Sequence, residues 1–125
     1  MSYLRRDQNQ QRGAAAEKLA LDHLQAEGLT LLARNYRCRM GEIDLIMQDR
    51  DTTVFIEVRL RSRGAYGAPL VSAAESIDLH KQSRIAAAAR HYLMGKSDTP
   101  CRFDCVLLNR VEPERIEWLR NAFTL

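Results

Sequence analysis

The sequence predicts an α/β domain, a central mixed β-sheet flanked by α-helices. Two long stretches of helix formers bracket a cluster of strand-like runs. The 125 residues fit one domain, and 46% apolar residues supply a core. With 28% charged residues and a net charge of +3, the chain lacks the signature of disorder.

Residues 1–12 are polar and rich in Gln and Arg, and are expected to form a flexible N-terminal segment ahead of a single domain at 13–125. No apolar stretch follows the early arginines, so no secretory signal is expected, and no run reaches the ~18 residues of a membrane span. Three cysteines without a CxxC pair argue against a disulfide framework or a Cys-based zinc site. A reducing cytoplasm is the expected address, with no membrane partner.

Gly13 to Glu27 reads as a helix, with Gly28 as its stop. Ala20, Leu21 and Leu24 mark its apolar face, and Glu17 lies on that face one turn before Leu21. Leu29 to Leu32 follows as a first strand, then the basic stretch Arg34 to Arg39, and Met40-Gly41 turns the chain. Residues 42–61 hold two strand-like runs around the turn-prone QDRD. Ile43, Leu45 and Met47 alternate with Asp44 and Ile46 in the first; Val54, Ile56 and Val58 alternate with Phe55, Glu57 and Arg59 in the second. The expected structure is a hairpin with a wholly aliphatic face.

A loop at 61–71 carries Gly64, Gly67 and Pro69. A second long helix is expected over roughly Ser72 to Met94, with Ile77, Ile85, Ala88, Ala89 and Leu93 inward. Cys101 to Asn109 reads as a strand in which Cys101 and Cys105 act as small hydrophobes. The charged turn EPER at 112–115 leads to Ile116–Leu119 and the terminal NAF at 121–123. The predicted order is α-β-β-β-α-β-β.

Centring the hairpin tip between Arg50 and Asp51 sets Ile43 opposite Val58, Leu45 opposite Ile56 and Met47 opposite Val54, so the aliphatic faces coincide. The same register sets Asp44 opposite Glu57, with Cβ atoms ~4.5–5.5 Å apart. Two like charges so placed are unfavourable unless a positive group joins them. A divalent cation would meet that need, since Mg²⁺ takes one or two carboxylates plus waters and a substrate phosphate. Arg59, on the same strand face as Glu57, would offset charge developing on a phosphate. The plainer alternative is a solvated sheet face salt-bridged to Arg59 and Arg61. Two features weigh against it: Ile46 and Phe55 share the acidic face, and Glu17 lies on the apolar side of a helix, where an unpaired carboxylate is costly.

The basic residues comprise 16 Arg and three Lys. That bias suits polyanion binding, because arginine grips phosphate through a planar fork, although an Arg-rich genome would produce the same bias.

An acidic residue on a first helix, then Asp, then Glu-x-Arg across a hairpin resembles the restriction-endonuclease-like (PD-(D/E)xK) nuclease superfamily. More closely, the chain resembles the uncharacterised YraN-like family within it, related to archaeal Holliday-junction resolvases. The matching segments are Gly13 with Glu17, Ala20 and Gly28; ARNYR at 33–37; GEIDLI at 41–46; VFIEVRLR at 54–61; Lys81 with Arg84-Ile85; CRFDCV at 101–106; and NAF at 121–123. In place of a frequent second glycine before the first acid stands Ala16.

The resemblance implies a restriction-endonuclease-like fold and a catalytic set of Glu17, Asp44, Glu57 and Arg59. Asp44 and Glu57 would ligate Mg²⁺ or Mn²⁺, with the main-chain carbonyl of Val58 as a further ligand and Glu17 reaching the metal directly or through water. The superfamily's lysine falls at Arg59, a departure, because arginine does not in practice give up a proton. Lys81 could project toward the site instead, or stand as a solvated helix lysine. The implied partner is nucleic acid, in the first place DNA, held by Arg34, Arg37, Arg39, Arg61, Arg63 and Lys81, and a homodimer is compatible with the resemblance. The expected function is a metal-dependent DNA endonuclease acting on branched or structured forms; the alternative is a nucleic-acid-binding module of the same fold that has lost turnover. A third reading is a structural or partner-binding domain, distinguished by a lack of DNA affinity at low salt.

Overall fold

In a computed structural model the chain is described over residues 2–61, 77–109 and 115–124, by backbone alone at 2–12 and 61. Helix α1 (Ser2–Ala26) is followed by strands β1 (Thr30–Cys38), β2 (Gly41–Asp49) and β3 (Thr52–Arg61), helix α2 (Leu79–Leu93), and strands β4 (Cys101–Asn109) and β5 (Ile116–Phe123). Among the described residues this is the expected element order.

Local chemistry sets the boundaries. Gly28 adopts φ +101°, its N–H bonds Gln25 O at 3.0 Å, and Leu29 N–H bonds Leu24 O at 3.1 Å. This is a Schellman stop, with Leu24 and Leu29 packed in the same core. Helix α2 starts at an N-cap, where Asp78 accepts the Lys81 N–H at 2.8 Å. Arg50, at φ 57°, turns the hairpin tip.

Three boundaries differ from expectation. Helix α1, expected from Gly13, starts upstream at Ser2 and takes in residues 2–12. Strand β1 runs on through the basic stretch to Cys38, because pairing with β2 outweighs the polar composition. Helix α2 starts at Leu79 rather than Ser72, since Asp78 caps it there; Ser72–Ser76 lie outside the described residues, and Ile77 is buried just ahead of the helix. The loop at 62–71 and the turn at 112–114 also lie outside them.

The sheet has five strands in the order β1-β2-β3-β4-β5. β3 and β4 are parallel and the remaining neighbours antiparallel, so the sheet is mixed. The parallel pair is joined through α2. Each sheet face carries its own core. On one side Ala16, Ala20, Leu21 and Leu24 of α1 pack on Leu45, Met47, Val54, Ile56, Val106 and Leu108. On the other, Ile85, Ala88 and Ala89 of α2 pack on Ile43, Ile46, Phe55, Phe103, Cys105 and Leu107. Cys105 is buried as expected, while Cys101 is exposed.

One charged network is wholly structural. Asp104 is fully buried in β4 and accepts both Arg102 Nε contacts at 3.1 Å, Trp118 Nε1 at 2.9 Å and Asn121 N–H at 3.0 Å. Arg102 also reaches Asp49 at 2.9 Å, fastening the hairpin end to β4. A buried carboxylate so fully partnered stabilises one arrangement of β4 and β5.

Candidate functional site

From Leu45 to the tip the hairpin register is the expected one, with Leu45 paired to Ile56, Ile46 to Phe55 and Met47 to Val54, but the expected pairs Asp44–Glu57 and Ile43–Val58 do not form. The β2–β3 ladder ends at Leu45–Ile56, whereas β3 stays paired with β4 as far as Arg61–Asn109. The two strands therefore fork. In the fork, Asp44 Oδ2 accepts the Val58 N–H at 2.8 Å, so a side chain replaces the missing ladder bond.

Glu57 lies beside this fork and is 7% exposed. Lys81 Nζ of α2 and Arg59 Nε each stand 3.7 Å from its Oε1. Burial and then the charge of Asp44 push the Glu57 carboxyl up to about 7, against the pull of Lys81 and Arg59. Burial also raises Asp44 above the usual carboxylate range, opposed by the Val58 N–H and by Lys81. Lys81 is thus placed at the carboxylates instead of standing in solvent. Two local features bring it there: the Asp78 cap fixes the start of α2, and Gly41 allows close approach. A Cβ on Gly41 would stand 2.7 Å from the Arg84 carbonyl oxygen of α2.

Glu17 approaches from the α1 side. Burial and then Asp44 raise its carboxyl, while Arg34 and Arg37 lower it. Among the described residues its Oε1 is buried without a hydrogen-bond partner, and so is Arg59 Nε, for which 3.7 Å to Glu57 is an ion-pair distance rather than a hydrogen bond. A buried acceptor and a buried donor, each unsatisfied beside the same carboxylates, are the groups that an added cation and an added anion would complete.

The structure thus joins Asp44, Glu57, Arg59 and Lys81, and brings Glu17 within electrostatic reach of Asp44. It does not close all three carboxylates on one point: among the described residues no group of three or more His, Cys, Asp or Glu gathers around one ion position. The donor set nonetheless suits a hard cation, since Mg²⁺ needs only one or two protein carboxylates. Of the expected phosphate-gripping residues, Arg34 and Arg37 flank Glu17, and Arg37 Nε pairs with Glu42 at 3.3 Å. Arg39 is exposed in the turn after β1; the Arg61 side chain and Arg63 lie outside the described residues. Sequence reasoning passed over Glu42, Asp78, Gly41 and Asn35. The D-x-x-K spacing of Asp78 and Lys81 was the available signal for the cap.

One expected face assignment is corrected. Ile43 packs with Ile46 and Phe55 on the α2 side, not with Leu45 and Met47. Strand β2 therefore changes phase at Asp44, whereas β3 alternates as expected, with Phe55 on the α2 side and Val54, Ile56, Val58 and Leu60 on the α1 side.

Fold and site together define an α/β protein with an acidic, cation-flanked centre at a fork in a mixed sheet. No helix among the described residues is long and apolar enough to cross a membrane. The chain belongs to the uncharacterised protein family UPF0102, whose family model matches residues 16–108. It is similar to a UPF0102 protein of Nitrosomonas europaea, 54% identical over 113 residues, covering 90% of this chain and 92% of the relative. A UPF0102 protein of Nitrosococcus oceani is 51% identical over 116 residues, 90% of each chain, and one of Methylobacillus flagellatus 45% over 114 residues, 91% of this chain and 97% of the relative.

Proposed function

We propose that this protein is a metal-dependent endonuclease of the restriction-endonuclease-like class, hydrolysing phosphodiester bonds in DNA, with branched or structured DNA as its substrate form. The observation that carries the reading is the buried Asp44–Glu57 pair at the strand fork, attended by an unsatisfied Glu17 oxygen and an unsatisfied Arg59 N–H. Asp44, Glu57 and the Val58 carbonyl would hold Mg²⁺ or Mn²⁺, with Glu17 acting directly or through water; the ion would supply Lewis-acid polarisation of the phosphodiester and an acidified water.

The remaining work belongs to the chain's own side chains. Arg59 Nε stands 3.7 Å from Glu57 with no hydrogen-bond partner among the described residues, and is suited to a phosphate oxygen. Lys81 brings to Glu57 the lysine that the hairpin motif lacks at position 59 and holds positive charge where negative charge develops. Arg34 and Arg37 lie on the Glu17 side, placed to grip phosphates along the strand. A binding module without turnover is the second reading, favoured by Arg59, which cannot serve as a proton acceptor.

Incubation with linear, flapped and four-way DNA, with Mg²⁺, with Mn²⁺ and with chelator, tests the proposal. Metal-dependent cleavage that is lost in Asp44→Asn is expected. Binding without cleavage on every substrate would establish the second reading, and absence of binding at low salt would refute both.

A further inference from the structure

The ARNYR segment at 33–37 has no role in the site so far beyond its two arginines. Its middle residue, Asn35, adopts φ +51°, in the left-handed region, inside a strand. Side chains should alternate between faces along β1. Leu31 packs on the α1 side and Ala33 on the α2 side, because the register shifts between them; Ala33 and Arg34 set the phase ahead of Asn35. Tyr36 and Cys38 also pack on the α2 side, while Arg34 and Arg37 act on Glu17 of α1. The phase before Asn35 and the phase after it thus differ by one residue.

Strand β2 changes phase at the same level. Ile46 and Ile43 share the α2 side, with Leu45 on the α1 side between them, so Asp44 is the extra residue. The pairing passes from Arg34–Leu45 to Tyr36–Ile43, with Asn35 and Asp44 unpaired between them, and one register holds from Ala33–Ile46 to Cys38–Gly41. Both strands therefore turn over together, and the residue belonging to neither face of β2 is Asp44.

Strand amides lie in the plane of the sheet. Since Asp44 Oδ2 accepts the Val58 N–H at 2.8 Å, the Asp44 carboxylate lies in that plane, within the fork, rather than on a face. Glu57 stands on the α2 side beside Lys81, and Glu17 belongs to α1 on the other side. In a regular sheet those two carboxylates would be separated by the sheet itself. An in-plane Asp44 is what both can reach, and it acts on both.

We infer that Asn35 is a positioning residue of the acidic centre: its left-handed conformation turns β1 and β2 over by one residue and thereby sets Asp44 in the plane of the sheet, between Glu17 and Glu57. Asparagine suits the post, because it enters the left-handed region far more readily than β-branched residues. The inference deepens the nuclease reading and rests on it only for the part played by metal.

The experiment compares Asn35→Gly, which permits the same φ, with Asn35→Val, which opposes it. Hydrogen exchange of the Val58 amide reports the Asp44 contact without metal or activity, and the Mn²⁺-induced thermal shift reports the centre. In Asn35→Val the Val58 amide should exchange roughly tenfold faster or more and Mn²⁺ should bind roughly tenfold more weakly, with the circular dichroism spectrum kept. Asn35→Gly should match the parent in both. If Asn35→Val does not fold, Asn35→Ala is read in its place, with the same directions expected. Unchanged Val58 exchange in a folded Val or Ala variant overturns the inference, and so does equally accelerated exchange in Asn35→Gly, which would assign the effect to the side chain and not to the conformation. A parent protein indifferent to Mn²⁺ would refute the metal reading alone; Val58 exchange would still decide the role of Asn35.

Discussion

Replacing Glu57 by Gln should stabilise the metal-free protein at alkaline pH and leave it unchanged in mild acid. Glu57 binds its proton up to about pH 7 in the folded chain, against an ordinary value of 4.5, because burial and Asp44 outweigh Lys81 and Arg59. Between those two pH values the folded state holds a proton that the unfolded state has released. Stability contributed by this group is therefore complete below about 4.5 and is lost as pH rises through about 7. A shift of that size corresponds to on the order of 3 kcal/mol at pH 8. Glutamine has the same shape and no charge, so it escapes the loss.

For a chain of this length 3 kcal/mol amounts to roughly 10 °C in melting temperature. The assay is thermal unfolding of parent and Glu57→Gln from pH 5 to pH 8 in chelator. Their melting temperatures should coincide near pH 5 and separate by up to about 10 °C at pH 8, with the variant higher. Mn²⁺ at pH 8 should then raise the parent and not the variant, since a ligand bound only by the folded state stabilises it. A difference independent of pH, or a variant less stable at pH 8, would refute the claim that Glu57 carries a buried, inadequately compensated charge.

Lys81→Ala should move the loss of metal-free stability to higher pH, because Lys81 lowers the Glu57 carboxyl; Lys81→Arg should leave it near the parent's, as read from the same melting profiles. Gly41→Ala should destabilise by about 1–3 kcal/mol in urea unfolding, since its Cβ would stand 2.7 Å from the Arg84 carbonyl oxygen and force α2 away from β2. Arg34→Ala combined with Arg37→Ala should flatten the log–log salt dependence of DNA binding by roughly two, with equal weakening across sequences, as measured by fluorescence anisotropy. An unchanged slope would place the DNA away from the Glu17 side.

What was legible in the sequence follows from how regular each element is. The β2–β3 hairpin could be registered from its alternation alone, because burial on both faces penalises a one-residue slip, and Leu45–Ile56 and Met47–Val54 pair as that argument requires. Glu17 stood out as a carboxylate on an apolar helix face, and Asp44 and Glu57 as like charges on a face shared with Ile46 and Phe55. Alternation fails at Asp44, however, because periodicity presumes ideal strands, and the irregularity is imposed from β1, where Asn35 takes a conformation that no hydrophobic pattern encodes. The same holds for Asn121, at φ 52° opposite the buried Asp104.

Comparison of the two aspartates gives the last step. Each lies in the sheet opposite a left-handed asparagine, and each accepts a backbone N–H. Asp104 is also met by Arg102 and Trp118 and is fully buried, so its carboxylate is spent within the fold. Asp44 stands instead beside two carboxylates whose proton affinity it raises, one of them Glu17, whose Oε1 has no partner among the described residues. An aspartate within the sheet is therefore a structural anchor where the sheet supplies cations and donors, and a centre in need of positive charge where it supplies acids. The residues around the aspartate, rather than its motif, separate the two outcomes.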